Sequence, residues 1–107
     1  MDASQVERSY ERYPVEVRAI VKHPSSSRRI EAELWDLSVG GCRLVTTEPL
    51  NPHDELLVRI QGLEGWPGRV VWKELNAVGV TFRYPLHYAV VEHYARFFPA
   101  AQGREET

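Results

Sequence analysis

From residue 15 onward hydrophobic and polar positions alternate. Val15, Val17, Ala19 and Val21 are separated by Glu16, Arg18, Ile20 and Lys22, the period of a half-buried strand. His23 to Arg29, with Pro24 and three serines, reads as a loop. Ile30, Ala32 and Leu34 alternate with Glu31 and Glu33 in a second strand. Asp36 to Gly41 reads as a turn. Cys42, Leu44 and Thr46 share one face of a third strand over 42–47. Pro49 to Asp54 is a loop, and 55–61 a fourth strand. Gly62 to Gly68 is a Gly/Pro-rich connection, and 69–74 and 77–83 are two further strands that meet near Asn76.

The period then changes. Pro85 suits the first turn of a helix, Leu86, Ala89, Val90, His93, Tyr94 and Phe97 recur at helical spacing, and Pro99 ends the run. Six short strands and one amphipathic helix predict an all-β fold with a C-terminal helix: a small antiparallel barrel with the helix over one opening or side.

The flanks differ from this body. Residues 1–14 are polar and charged. Ser4-Gln5-Val6-Glu7 has the form of a capping box, and Pro14 disfavours helix at Tyr13, so the segment is expected to be a flexible or weakly helical arm. Residues 15–99 are the barrel and helix, and 100–107 a disordered tail.

Composition narrows the function. One domain fits 107 residues. Thirteen Lys+Arg against 15 Asp+Glu argue against coating a long nucleic acid by bulk charge. A local cluster for a small anion is compatible with that balance. Of the 13 cations only Lys22 and Lys73 are lysine, which leaves 11 arginines, the side chain suited to planar, bidentate recognition of phosphates and bases. Genome composition accounts for such an excess equally well. No apolar run approaches the ~20 residues of a membrane helix. Met1 to Arg12 holds no apolar stretch of the secretory kind. The single Cys42 forms no intrachain disulfide, which suits a reducing, cytoplasmic setting.

Two motifs carry candidate chemistry. Arg8-Ser9-Tyr10-Glu11-Arg12 has the form RxxxR, and with 11 arginines about one such match arises by chance. Asp36-Leu37-Ser38-Val39-Gly40-Gly41 has the form DxSxxG, expected only about 0.01 times at this composition. The second is informative alone, and the first becomes so by preceding the first strand.

Together they resemble the PilZ domain family of bacterial cyclic diguanylate (cyclic di-GMP) receptors. The resemblance covers nearly the whole chain: RxxxR, then Tyr13-Pro14-Val15, DxSxxGG, Gly68-Arg69-Val70-Val71-Trp72, Gly79-Val80-Thr81-Phe82 and a terminal helix. It implies a six-stranded antiparallel (split) β-barrel of PilZ type, in a stand-alone, non-enzymatic receptor with no cofactor. By the same resemblance Arg8 and Arg12 would clamp bases and phosphates from the arm. Asp36, Ser38 and Gly41 would form the fixed half of the site. Trp72 would stack on guanine, with a barrel-wall aromatic as the alternative. An arginine fork matches guanine O6/N7, and an ionised Asp36 suits the N1–H and exocyclic amine edge. Gly41 would take a positive φ or admit the ligand close to the backbone. Members that bind an intercalated pair of ligands tend to carry an extra arginine just before RxxxR. Glu7 stands there, which favours a single ligand.

Other readings are weaker. Arg8 and Arg12 near Glu7 and Glu11 also read as a solvated face, and Asp36 and Ser38 as turn caps. His23, His53, His87 and His93 share no metal-ligand spacing with Cys42, so no metal is expected. Cys42 reads as packed rather than nucleophilic, and Ser38 has no neighbouring histidine base. Tyr88, Tyr94, Phe97 and Phe98 read first as helix packing and second as a partner surface. The alternative function is a protein adaptor of the same fold that binds no nucleotide. A third reading, a barrel for single-stranded RNA, would need surface aromatics among basic residues, and only Trp35, Trp66 and Trp72 are available. Expected partners are cyclic di-GMP and a protein effector, with no membrane insertion, in a monomer or weak dimer. The effector and the pathway, motility, polysaccharide export or another, are not written in the residues.

Overall fold

A computed structural model of the chain describes residues 11–101. Its strands are β1 (Tyr13–Lys22), β2 (Ile30–Leu37), β3 (Gly41–Val45), β4 (Glu55–Ile60), β5 (Trp66–Glu74) and β6 (Ala77–Phe82), followed by helix α1 (Tyr88–Phe97). All pairings are antiparallel, and the strands close into a barrel in the order β1-β2-β3-β6-β5-β4. Among the described residues each strand pairs with a neighbour on both sides, which limits the free edge open to another chain.

The period-two residues fill the interior. Val15, Val17, Ala19 and Val21 of β1 face Leu34, Leu44, Leu56, Val58, Val70 and Val80, all buried. Each such aliphatic contributes about 1.5–3 kcal/mol of burial. Thr46 lies just past β3 but keeps the inward face, its hydroxyl donating to the Glu31 carbonyl at 2.8 Å.

Several boundaries differ from expectation. β1 begins at Tyr13, so the last two residues of the expected arm are strand. Tyr13 and Pro14 pair with Leu37 and Asp36, and a proline is tolerated so near a strand's start. β5 begins at Trp66 rather than residue 69, because Pro67 and Trp66 pair with Leu57 and Val58 of β4. The helix begins at Tyr88, not at Pro85. His87 caps it, its Nδ1 accepting from the Ala89 N–H at 3.0 Å. Of the expected inward positions Leu86 and Tyr94 are buried and Val90 is half-buried, whereas Ala89, His93 and Phe97 face out. Val91, unassigned from sequence, is fully buried. The inward stripe, Val90, Val91, Tyr94 and Phe98, is thus shifted by about one position from the expected one.

Helix α1 covers the end of the barrel where β1 starts and β4 finishes. The Tyr94 hydroxyl donates to the Gln61 carbonyl. The chain beyond the helix returns along β1. Glu16 N–H donates to Phe98 O at 2.9 Å, and Ala101 N–H to the Glu16 carboxylate at 3.1 Å. Residues 100 and 101, expected in a loose tail, are therefore bonded to β1, and 102–107 lie outside the described residues. Among the described residues no helix is long and apolar enough to cross a membrane.

Candidate ligand-binding site

Two β-bulges build the site. On β2, Leu34 pairs with Leu44 and the next pair is Asp36 with Arg43, so Trp35 is an extra residue. Strict alternation would carry Asp36 inward after Leu34. The bulge turns it outward, and Leu37 then returns to the core opposite Cys42. On β5, Val70 pairs with Val80 and Trp72 with Gly79, so Val71 is the extra residue. Trp72 is thereby moved from the inward to the outward face, over Gly79.

The result is a cavity of about 210 Å³ on the outer wall of β2, β3, β6 and β5. Arg12, Asp36, Ser38, Gly41 and Trp72 all line it, together with Arg43 and Gly79. Five of the six expected site residues thus meet in one place. The sixth, Arg8, lies outside the described residues, as does Glu7.

Their local roles differ from one another. Ser38 is buried and closes the turn, its Oγ accepting from Gly40 N–H at 3.2 Å and Gly41 N–H at 3.1 Å. The expectation that Ser38 caps the turn describes the geometry. The Asp36 carboxylate faces Arg43, with Oδ2 at 3.8 Å from Nη1. Gly41 is required by close packing within the barrel. A Cβ there would fall 2.3 Å from the Val80 carbonyl oxygen, so close approach of β3 to β6 demands glycine. Its φ is not positive.

Charge in the cavity comes from Arg12, Asp36 and Arg43 among the described lining residues. They sum to one positive charge, in a chain whose formal net charge is −2. Cys42 forms the inner wall as a buried thiol. Burial, and then the Asp36 carboxylate, push its pKa far above the ordinary range, which keeps it an un-ionised packing residue. Among the described residues no group of His, Cys, Asp or Glu is arranged to hold a metal ion.

The site is wired to the helix end of the barrel. Gly40 O accepts from Phe82 N–H and Val39 O from Leu86 N–H, both at 2.9 Å. Next to Arg12, the Tyr13 hydroxyl donates to Glu11 at 3.1 Å and shares a 3.2 Å hydrogen bond with the Tyr88 hydroxyl at the start of α1.

Arg43 and Gly79 were not singled out from sequence. Period two points Arg43 outward between Cys42 and Leu44, but only the barrel order shows which wall it shares with Asp36. Gly79 sat inside a quoted motif without a role.

A family model described as the PilZ domain matches residues 7–97. A solved structure described as the PilZ domain of CeSA from a cellulose-synthesizing bacterium has the same fold. It matches with a TM-score of 0.58 at 18% identity, over 80% of this chain and 91% of that one. No curated protein matches.

Proposed function

The chain belongs to the PilZ domain family, known for binding cyclic di-GMP, and from that premise we propose that it is a receptor for this dinucleotide. The observation that carries the reading is the convergence of Arg12, Asp36, Ser38, Gly41 and Trp72 on one cavity. Domains of this family bind and regulate rather than catalyse.

Each group has a task in the reading. Asp36 accepts from the N1–H and exocyclic amine of a guanine. Trp72 offers a ring for that base to stack on. Arg12, with Arg8 from the preceding segment, takes phosphate and base edges through charge-assisted bonds. A cavity of about 210 Å³ is below the ~300–1,000 Å³ usual for small-molecule pockets. It therefore takes part of the dinucleotide, one guanine and its neighbourhood, and the arginine segment covers the rest. One ligand per chain is proposed, because Glu7 repels a further phosphate.

The output is relayed to a protein partner. Ligand draws Arg8 to the cavity that Arg12 already lines, and Tyr13, the residue after Arg12, is tied to Tyr88 of the helix. Tyr88 of that joint is exposed, and Tyr84 before the helix and Phe97 at its far end add exposed aromatic area. The reading sets the protein in the cytoplasm, where a motility or exopolysaccharide pathway would use it. Titration calorimetry with cyclic di-GMP is the test. Saturable heat with a stoichiometry near one supports the reading, and no heat at tens of micromolar ligand overturns it in favour of a nucleotide-free adaptor.

A further inference from the structure

We propose that Arg43 is the specificity-determining residue of this site, acting by holding the Asp36 carboxylate in the orientation that reads guanine. The inference rests on the receptor reading above and adds a residue to it.

Asp36 and Arg43 are direct cross-strand partners, placed opposite each other by the Trp35 bulge. Both side chains are only 17% exposed, and Arg43 Nη1 stands 3.8 Å from Asp36 Oδ2. That distance is beyond a hydrogen bond, so Arg43 orients the carboxylate by charge. An ionised carboxylate offers about four acceptor sites, so the pairing leaves capacity for a base edge. Arg43 is itself fixed from a third side, its guanidinium carbon 5.8 Å from the centre of the Trp35 ring. The plane of the guanidinium, not charge alone, suits it to that ring and to a carboxylate together.

The chain of support runs from Trp35 to Arg43 to Asp36 and ends in the cavity. Loss of Arg43 loosens that support, and any ordering of the carboxylate left to the moment of binding subtracts from affinity. Without Arg43 the described charges of the cavity, Arg12 and Asp36, would also cancel, and a dinucleotide with two phosphates would meet a neutral wall. The two effects separate experimentally. Charge acts on every cyclic dinucleotide, whereas carboxylate orientation acts on guanine, whose exocyclic amine hypoxanthine lacks.

The experiment measures dissociation constants of cyclic di-GMP and of its hypoxanthine analogue, cyclic di-IMP, for the wild-type chain, Arg43→Gln and Arg43→Lys, with a thermal melt of each. The wild-type chain is expected to prefer guanine. Arg43→Gln is expected to lose at least about tenfold on cyclic di-GMP, with the guanine preference falling severalfold. Arg43→Lys keeps the charge but not the planar contact with Trp35. It is expected to recover overall affinity in part while its guanine preference stays reduced. Should Arg43→Gln fail to melt cooperatively, Arg43→Lys decides alone. A wild-type chain that binds cyclic di-GMP, with an undiminished guanine preference in Arg43→Lys, overturns the role of Arg43 and leaves the receptor reading standing. A wild-type chain that binds neither dinucleotide overturns both.

Discussion

The indole of Trp72 lies in the space where a side chain on Gly79 would begin. A Cβ on Gly79 would fall 2.1 Å from Trp72 Nε1 and 2.2 Å from Cε2. Gly79→Ala must therefore push the ring off β6. The displaced group is a half-buried side chain, so the stability cost is expected near the low end of the ~1–3 kcal/mol of overpacking. Affinity for cyclic di-GMP is expected to fall about as far as in Trp72→Ala, since the base loses the same stacking surface. Calorimetry on both variants checks this, and full affinity in either would make Trp72 a wall residue with no part in binding.

Arg12 is exposed, precedes β1 and reaches the cavity from outside the barrel wall. Arg12→Ala is expected to weaken cyclic di-GMP by more than about 1.5 kcal/mol, the scale of a hydrogen bond to a charged group, with an unchanged melting temperature. A loss of the cooperative melt would instead show that residue 12 belongs to the fold.

Ser38 predicts the opposite balance. Its hydroxyl satisfies two backbone N–H groups in the turn and is itself buried. Ser38→Ala leaves those donors unpaired, at about 1–3 kcal/mol. Chemical denaturation is expected to show that loss, with affinity falling as well because Gly40 and Gly41 loosen beside the ligand. A variant as stable as the wild-type chain would mean the turn holds without the hydroxyl.

The strand alternation was legible because one residue in two faces the core over most of each strand. Val15, Val17, Ala19 and Val21 read as the inward face, and all four are buried. The motif residues were legible as a set because the DxSxxG pattern is rare in this composition. What the alternation hid was the pair of bulges. Trp35 and Val71 break the period for one step each, and nothing in Leu34-Trp35-Asp36 or Val70-Val71-Trp72 marks which residue is the extra one. Without those steps Asp36 and Trp72 read as inward, and Arg43 has no visible partner. The helix face was misphased by one position. Ala89, His93 and Phe97 share one face as well as Val91, Tyr94 and Phe98 share the next, and with apolar or aromatic residues on both, spacing alone does not choose the one that packs on the barrel.

The bond between Tyr13 and Tyr88 ties the root of the arginine segment to the helix. Tyr13→Phe removes it while keeping the ring. Ligand is expected to slow amide exchange in residues 13–16 and across 88–98 of the wild-type chain. In Tyr13→Phe the slowing in the helix is expected to shrink while affinity changes little. An undiminished helix response would route the relay through the Leu86 N–H to Val39 O bond instead.

Alkaline pH tests the interior behind the site. Burial first, and the Asp36 charge second, raise the Cys42 thiol above its ordinary 9.0. Above about pH 9 an unfolded chain releases that proton while the native chain keeps it. The native state then binds more protons, so stability declines as pH rises, approaching about 1.4 kcal/mol per pH unit for one group. Burial raises Tyr94 above 10.0 in the same direction, and its share of the decline starts about one unit later. Urea midpoints are therefore expected to hold between pH 7 and 8 and to fall from pH 9. Cys42→Ala costs some packing at every pH but lacks an ionisable group there. Its midpoint is expected to stay level until about pH 10, where the tyrosines take over. Parallel declines in the two proteins between pH 9 and 10 would show that the Cys42 thiol is not the group held neutral beneath Asp36.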